Sequence, residues 1–559
     1  MKNTMKKILV AMMAVFLLFL LAACDDPATE NGVTKISYED AVKEVGAYYD
    51  SIRPQTLSAR LDTDFDFTTT VALADLATFP ITTRANADVI VEIAASTELS
   101  DERAPDDWVN IVASAFNRRR FTLPDGRTVG VNIRKIVSGE TVTYMLDGGY
   151  RPDAYIPSHA AWGEILNSRG LKSHNIVDRL VGNTAGILMK RSVYDAYVAK
   201  HGDVSVGGVM EAALNHELVF AVTNPYTSST GLNMLAQMLY ALDPNNPLSE
   251  NAIRKLVAYQ QVAPVAAYST SVMRESAKKG IVDAMAMEAQ AYVLNKELSD
   301  YVYTPVGFRH DHPVIVFDYV DADKEAALKM FVDFCLEPEQ QALATQKGFN
   351  LYDEYVGQDD NLSGGDYASA QSVWKKNKNG GRPVVAVFVA DVSGSMNGRR
   401  LQSLQQSLLN TIQYIDSDNY VGLVSYDNSV YINLPIRKFD NQQRAYFSGA
   451  VKELQANGQT ATYSATAVGL KMLLDAKAQV ADAQLMLFVL TDGETNHGYS
   501  YKQVAPMVAA LGVPVYTIAY ETNSTDELKR LSSLNEAACI NATVEVIVNE
   551  LRGLFNISL

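Results

Sequence analysis

At 559 residues the chain has room for roughly three or four core-forming units, taking about 150 residues per domain. Apolar residues at 48% and charged residues at 20% are ordinary for a globular protein. A formal charge of -16 and a pI near 5.0 argue against nucleic acid as a partner, which calls for basic patches, and otherwise bear only on solubility.

The amino terminus reads as an export signal. Lys2, Lys6 and Lys7 precede an apolar run over residues 8–21, and small residues follow in Leu21-Ala22-Ala23-Cys24. The run is too short to span a bilayer, and a positive flank, a short apolar core and a small-residue end describe a secretory signal. The Leu-Ala-Ala-Cys junction resembles the bacterial lipobox. That resemblance implies removal of residues 1–23, diacylation of Cys24, and a lipid-anchored protein on the extracytoplasmic side of a cell membrane. Residues 24–85 are expected as a polar tether, with Asp25, Asp26 and Glu30, and an N-terminal extension. With Cys24 lipidated only Cys335 and Cys539 remain, in separate segments, which predicts two free thiols.

Residues 86–352 alternate short apolar runs with amphipathic helical patterns, as α/β layers do. Residues 89–94 predict a strand ending at Ser96, and a helix follows around 108–117. Residues 129–137 predict a strand ending at Ser138-Gly139, and residues 218–222 one that runs through Asn224 and Ser229 into a helix. Hydroxyls at strand ends where helices begin suit anions, because unpaired N–H groups and the dipole point outward there; singly, each is better explained as a cap. As a series, these segments resemble the type II bacterial extracellular solute-binding proteins. Residues 285–288, Tyr303-Thr304-Pro305, the Asp311-His312-Pro313 loop and a helix pair over 326–349 with Phe331, Phe334 and Gly348-Phe349 add to the likeness. The resemblance implies a periplasmic-binding-protein-like module of two α/β lobes. Ser96, Ser138 and Ser229 would face the cleft between them, Arg134 and Lys135 would add charge, and the ligand would be a small polar or anionic solute. Such a fold can also persist purely as a scaffold. His310 and His312 bracket Asp311 with no third ligand in view, which predicts a surface loop, and His216-Glu217 lacks the second His of a zinc-protease helix.

Residues 353–382 turn polar and Gly-rich, a linker with a short helix over 368–376 anchored by Trp374. From 383 to 559 strands and helices alternate again. Strands are predicted over 384–390, 421–426, 485–490 and 513–520, with an edge hairpin partner over 430–436. Helices are predicted from Leu401 to Ile415, over 462–474, 528–534 and 544–554. This is the pattern of one doubly wound, Rossmann-like α/β domain.

That domain carries the chemistry. The buried strand over 384–390 ends in Asp391, Ser393 and Ser395, alternate oxygen-bearing positions of a tight turn. Thr460 opens an Ala-rich helix, and Asp492 follows the strand over 485–490. Hard oxygen donors without His or Cys suit Mg²⁺, Ca²⁺ or Mn²⁺ rather than zinc or copper. In a parallel α/β sheet such strand-end loops converge on one crevice. Asp-x-Ser-x-Ser, Thr and Asp, in that order, resemble the von Willebrand factor type A domain and its metal-ion-dependent adhesion site. The resemblance implies that Asp391, Ser393, Ser395, Thr460 and Asp492 hold a divalent cation, Mg²⁺ foremost, with one position open to a Glu or Asp of a protein partner. A haloacid-dehalogenase-type phosphatase would want a carboxylate where Ser393 stands. No nucleophile–base pair or phosphate loop is evident, so the expected class is adhesion or complex assembly without catalysis. The alternative is a solute-binding receptor of a membrane transport system.

Overall fold

The structure, a computed structural model, describes residues 29–30, 33–65, 76–102, 107–262, 282–358, 360–378, 382–412, 415–520, 522, 525–535, 537 and 539–542. Cys24 and the helix expected over 544–554 lie outside them. Two units divide the chain: the first gathers residues 1–67, 383–409 and 416–544, the second residues 68–382, 410–415 and 545–559. The chain thus begins in the first unit, builds the second, and returns.

Helix α1 (Tyr38–Ile52) starts where Ser37 accepts the Asp40 N–H at 3.1 Å, with Glu39 and Asp40 favouring the positive end of the dipole. It ends at Arg53, which takes a left-handed φ of 52°. Strand β1 (Gln55–Thr56) follows. Both belong to the first unit, so the expected tether and extension over 24–85 divides, and part of it is packed structure.

The second unit has two lobes. The first lobe holds β2 (Ile81–Thr83), β3 (Val89–Ala95), β4 (Val129–Lys135), β5 (Ala154–Ile156) and β6 (Ser173–Val177). The second holds β7 (Thr184–Lys190), β8 (Phe220–Ala221), β9 (Ala284–Glu288) and β10 (Tyr301–Arg309), after which β11 (Val314–Phe317) returns to the first. The sheets are ordered β2-β4-β3-β5-β11-β6 and β8-β9-β7-β10, and the chain crosses between lobes after β6 and after β10. Helices α2 (Trp108–Arg119), α3 (Ser138–Leu146), α4 (Ala161–Ser168), α5 (Ser229–Leu242), α6 (Ala322–Cys335) and α7 (Pro338–Gln346) cover the lobes. Trp108, Phe116, Phe331 and Phe334 fill the core of the first, and Phe220, Met234 and Tyr259 that of the second. The expected linker contains α8 (Gly364–Asn377), begun by a Ser363–Asp366 capping box and packed on α4 and α5, with Trp374 buried in the second lobe's core. Cys335 and Cys539 are both free thiols.

The first unit is one sheet ordered β17-β16-β15-β12-β13-β14-β1. It is built from β12 (Val384–Asp391), β13 (Tyr420–Tyr426), β14 (Val430–Lys438), β15 (Gln484–Thr491), β16 (Val515–Tyr520), β17 (Cys539–Ala542) and the early β1. All pairs are parallel except β13 with β14. Every residue of β12 is buried, because helices cover both faces of the central strands. Strand β14 is not the edge predicted for it. β1 pairs with it through Tyr431 and Ile432, and the Leu57 N–H donates to Ile432 O at 2.9 Å. Helix α1 lies on α9 of the sheet's helix layer (Thr462–Lys477) and on α10 (Tyr501–Leu511), placing Ala41 and Val45 in the core with Val468 and Val508. Tyr48 stacks on Tyr499 with centroids 4.1 Å apart. No local signal in residues 38–56 names this partner, since the contacts are hundreds of residues away.

Candidate functional site

The carboxyl end of β12 delivers Asp391, which is fully buried. Its Oδ1 accepts the Ser393 N–H at 2.8 Å, and its Oδ2 accepts the hydroxyl of Thr491, the last residue of β15, at 2.6 Å. The Ser393 and Ser395 hydroxyl oxygens lie 3.1 Å apart, and Ser395 donates to Asp492 Oδ1 at 2.8 Å. The loop before α9 is bound to the same turn: the Gly394 N–H donates to Gly458 O at 3.1 Å and the Asn457 N–H to Val392 O at 2.7 Å. Thr460 is held from the third loop. Its N–H donates to Asn496 Oδ1 at 2.9 Å, and its carbonyl accepts the Asn496 N–H at 2.9 Å and the Thr495 hydroxyl at 2.8 Å. Gly458 has φ 72° and abuts the Asn428 side chain, so a Cβ there is excluded by both backbone and space. The three predicted loops therefore meet, each bonded to the other two.

Burial pushes the Asp391 carboxyl above its ordinary value, and the nearby charge of Asp492 adds to this; the Thr491 and Ser393 hydrogen bonds pull the other way. A buried carboxylate held costly in this way favours a neighbouring cation. Among the described residues no three His, Cys, Asp or Glu side chains gather as a metal cage. The donor set here is two carboxylates and hydroxyls, which suits a hard dication that keeps water among its ligands. Asp492 also receives Arg400, whose Nη1 lies 2.9 Å from Oδ2.

The second unit's cleft is different. Ser96, Ser138 and Ser229 are all buried at strand or helix ends that meet there. The Ser96 N–H donates to Ile156 O at 3.1 Å, and the Gly139 N–H crosses from the first lobe to Thr227 O of the second at 3.2 Å. Ser229 accepts the Trp162 Nε1–H at 2.9 Å, so its hydroxyl is already committed between lobes. Among the described residues the Ser96 hydroxyl has no hydrogen-bond partner. Arg134 is turned to Glu92 at 2.7 Å and to Phe79 O, and Lys135 lies 3.6 Å from Asp101, so neither charge is spare for a solute.

His310 and His312 are not on a surface loop. Both have no exposed surface, because the crossing from β10 to β11 runs between the lobes. The Asn233 amide, oriented by Phe308, donates to His310 Nε2 at 2.9 Å, so Nδ1 carries the proton and donates to Glu288 Oε1 at 2.8 Å. Thr230 donates to the same oxygen at 3.1 Å. His312 pairs with Glu98 at 3.4 Å, and Ser158 donates to Glu98. Burial, with the charge of Glu98, pushes Glu288 up to about 8. Burial also raises Glu98, but His312 and Ser158 outweigh it and hold the carboxyl at about 2. Burial holds His159 and His310 down at about 3. Sequence reasoning missed this network because its members are scattered over 98–312 and only the lobe closure joins them.

The model of the bacterial extracellular solute-binding protein family matches residues 102–350, and that of the von Willebrand factor type A domain matches residues 386–552. The chain joins an extracellular solute-binding domain to a von Willebrand factor type A domain. Inter-alpha-trypsin inhibitor heavy chain H3 of Bos taurus is 32% identical over 129 residues, 22% of this chain and 14% of that protein. Calcium-activated chloride channel regulator 1 of Bos taurus is 28% identical over 152 residues, 27% of this chain and 16% of that one. The chain thus spans under a fifth of the length of these relatives. Iron-bound HitA from Pseudomonas aeruginosa is similar at 16% identity and a TM-score of 0.37, over 52% of this chain and 99% of HitA. Neither family model is that of an enzyme, the type A domain carries a protein-interaction role, and the solute-binding domain belongs outside the cytoplasm. Among the described residues no helix is long and apolar enough to cross a membrane. Within the type A domain, Arg400 is a site residue that motif spacing did not single out. Arg400 had a signal, a cation five residues past Ser395 at a helix start, where the dipole disfavours it.

Proposed function

We propose that this is a lipoprotein, anchored through Cys24 on the extracytoplasmic face of a cell membrane, whose type A domain binds a protein partner through a divalent cation. Asp391, Ser393, Ser395, Thr460 and Asp492 hold the cation, Mg²⁺ foremost, directly or through water. When bound, the ion supplies a Lewis-acidic position for a Glu or Asp of the partner. The chain's own residues set the position: Thr491 and the Ser393 N–H orient Asp391, and Ser395 ties Asp492 to the first loop. The observation that supports this most is the mutual bonding of three loops that are distant in sequence, with both carboxylates buried at their junction. The role is adhesion or complex assembly, not catalysis.

Mass spectrometry of material co-purified from membranes, with and without chelator, tests it. A partner released by EDTA and absent from Asp391→Ala material is the expected result. Partners retained in both cases would sink the metal-bridged reading.

A second role is favoured by the buried, unpaired Ser96 hydroxyl in the cleft, a group that ordinarily finds a partner. On this reading the solute-binding domain delivers a small polar solute to a membrane transporter. Glu98, held ionised, weighs against an anionic one, since a buried carboxylate repels it. Thermal stabilisation by a panel of small solutes, unchanged by Asp391→Ala, is the expected signature, and a panel without any shift removes this role.

A further inference from the structure

Arg400 is the second residue of the helix over Arg399–Thr411, about one turn past the Asp-x-Ser-x-Ser motif. Its Nη1 donates to Asp492 Oδ2 at 2.9 Å and to the Ser395 carbonyl at 3.3 Å, while Asp492 Oδ1 takes the Ser395 hydroxyl. The Asp492 side chain is 1% exposed and that of Arg400 35%. Asp391 takes its hydrogen bonds from neutral donors, Thr491 and the Ser393 N–H. A guanidinium thus faces Asp492, the carboxylate after β15 that the first loop also binds through Ser395.

We propose that Arg400 is a built-in counter-ion of this site, a positioning residue that weakens cation binding and in return leaves the loaded site net positive. The proposal rests on the metal reading above. Counting Asp391, Asp492 and Arg400, the empty site carries one net negative charge and the loaded site one net positive charge. Without Arg400 a loaded site would be neutral. Like charges a few ångströms apart beside a buried carboxylate repel, so the arginine lowers affinity for the dication. The same positive charge attracts an incoming carboxylate, which a neutral site would not. It also offsets the cost of two buried carboxylates when no ion is bound, so the loops keep their places.

Calorimetric titration of the full chain with Mn²⁺ tests this, using wild type, Arg400→Gln, Arg400→Lys and Asp391→Ala. Arg400→Gln is expected to bind Mn²⁺ more tightly, on the order of tenfold, and Arg400→Lys, which keeps the charge, to stay near wild type. In chelator, Arg400→Gln should melt below wild type, and acetate should strengthen Mn²⁺ binding to wild type more than to that variant. Mn²⁺ binding abolished by Asp391→Ala but equal or weaker in Arg400→Gln overturns this inference alone. Mn²⁺ binding that is absent, or that survives Asp391→Ala, overturns the metal reading and this with it. Should Arg400→Gln fail to fold, a tenfold change in Arg400→Lys in either direction is the overturning result.

Discussion

The type A loops and the solute-binding cleft are both buried, polar and built at strand ends, yet their side chains are committed differently. In the cleft the carboxylates have partners of their own: Glu288 takes His310 and Thr230, Glu98 takes His312 and Ser158, and Ser229 takes Trp162. In the type A loops the hydroxyls are tethered beside two carboxylates, and Arg400 pairs with one of them, Asp492. Polar groups that satisfy one another hold lobes together, whereas carboxylates brought together with too little counter-charge prepare a place for a cation. Position at a strand end thus says where a site is, and the partners of each side chain say what it is for.

The largest contrast should come from the two key carboxylates. Asp391→Ala is expected to abolish cation binding, at least a hundredfold in Mn²⁺ affinity by calorimetry, and to leave the cleft's pH response unchanged. Asp391→Asn removes the charge and keeps one acceptor, for the Ser393 N–H, while its amide NH₂ donates to the Thr491 hydroxyl, reversing that bond. Because burial raises the Asp391 pKa, the folded state loses stability as pH rises past its ordinary value of 3.8, so at neutral pH the chelated Asn variant should melt above wild type.

Next in size is Val45→Ala, which opens a space between α1 and the first unit's core at a cost of about 2–3 kcal/mol. Denaturant unfolding should show the loss, and added Mg²⁺ should recover part of it if the type A loops unfold with that core. A variant as stable as wild type would mean that α1 contributes nothing to the unit that holds the loops.

The cleft predicts a pH optimum. Glu288, raised from 4.5 to about 8, contributes stability at acid pH that is lost as pH rises through 8. His159 and His310, lowered from 6.5 to about 3, contribute stability above 6.5 that is lost as pH falls towards 3. Thermal unfolding of the full chain should therefore be most favourable to the fold near pH 6.5, and Glu288→Gln should flatten the decline between 6.5 and 8. A wild-type profile that rises over that interval would contradict the cleft's protonation pattern. Smallest is Ser229→Ala, which leaves the Trp162 indole N–H without its acceptor and should cost roughly 1 kcal/mol by denaturant unfolding, with no effect on Mn²⁺ binding.

Much of this was legible before any coordinates. β12, β13 and β15 are β-branched apolar runs whose burial on both faces removes the polar alternation that would otherwise obscure them, and they lie where the pattern put them. The meeting of the three loops was legible for a related reason: in a parallel sheet the strand-end loops converge on one crevice, and strand ends are the most readable points in such a sequence. The histidines of the cleft were misread as surface because a polar Arg309-His310-Asp311-His312-Pro313 string looks solvated, and nothing local shows two lobes closing on it.

By itself the sequence determined the two α/β folds and the order in which the three strand-end loops of the type A domain occur, because hydrophobic period and strand-end chemistry are local properties. Only the tertiary structure decided that α1 and β1 complete the far domain, that Arg400 sits on Asp492, and that Glu98, Glu288, His310 and His312 share one buried cluster. Those pairings join residues far apart in the chain or choose among several nearby acceptors, and a side chain's partner is fixed by distance in space, which no spacing along the chain encodes.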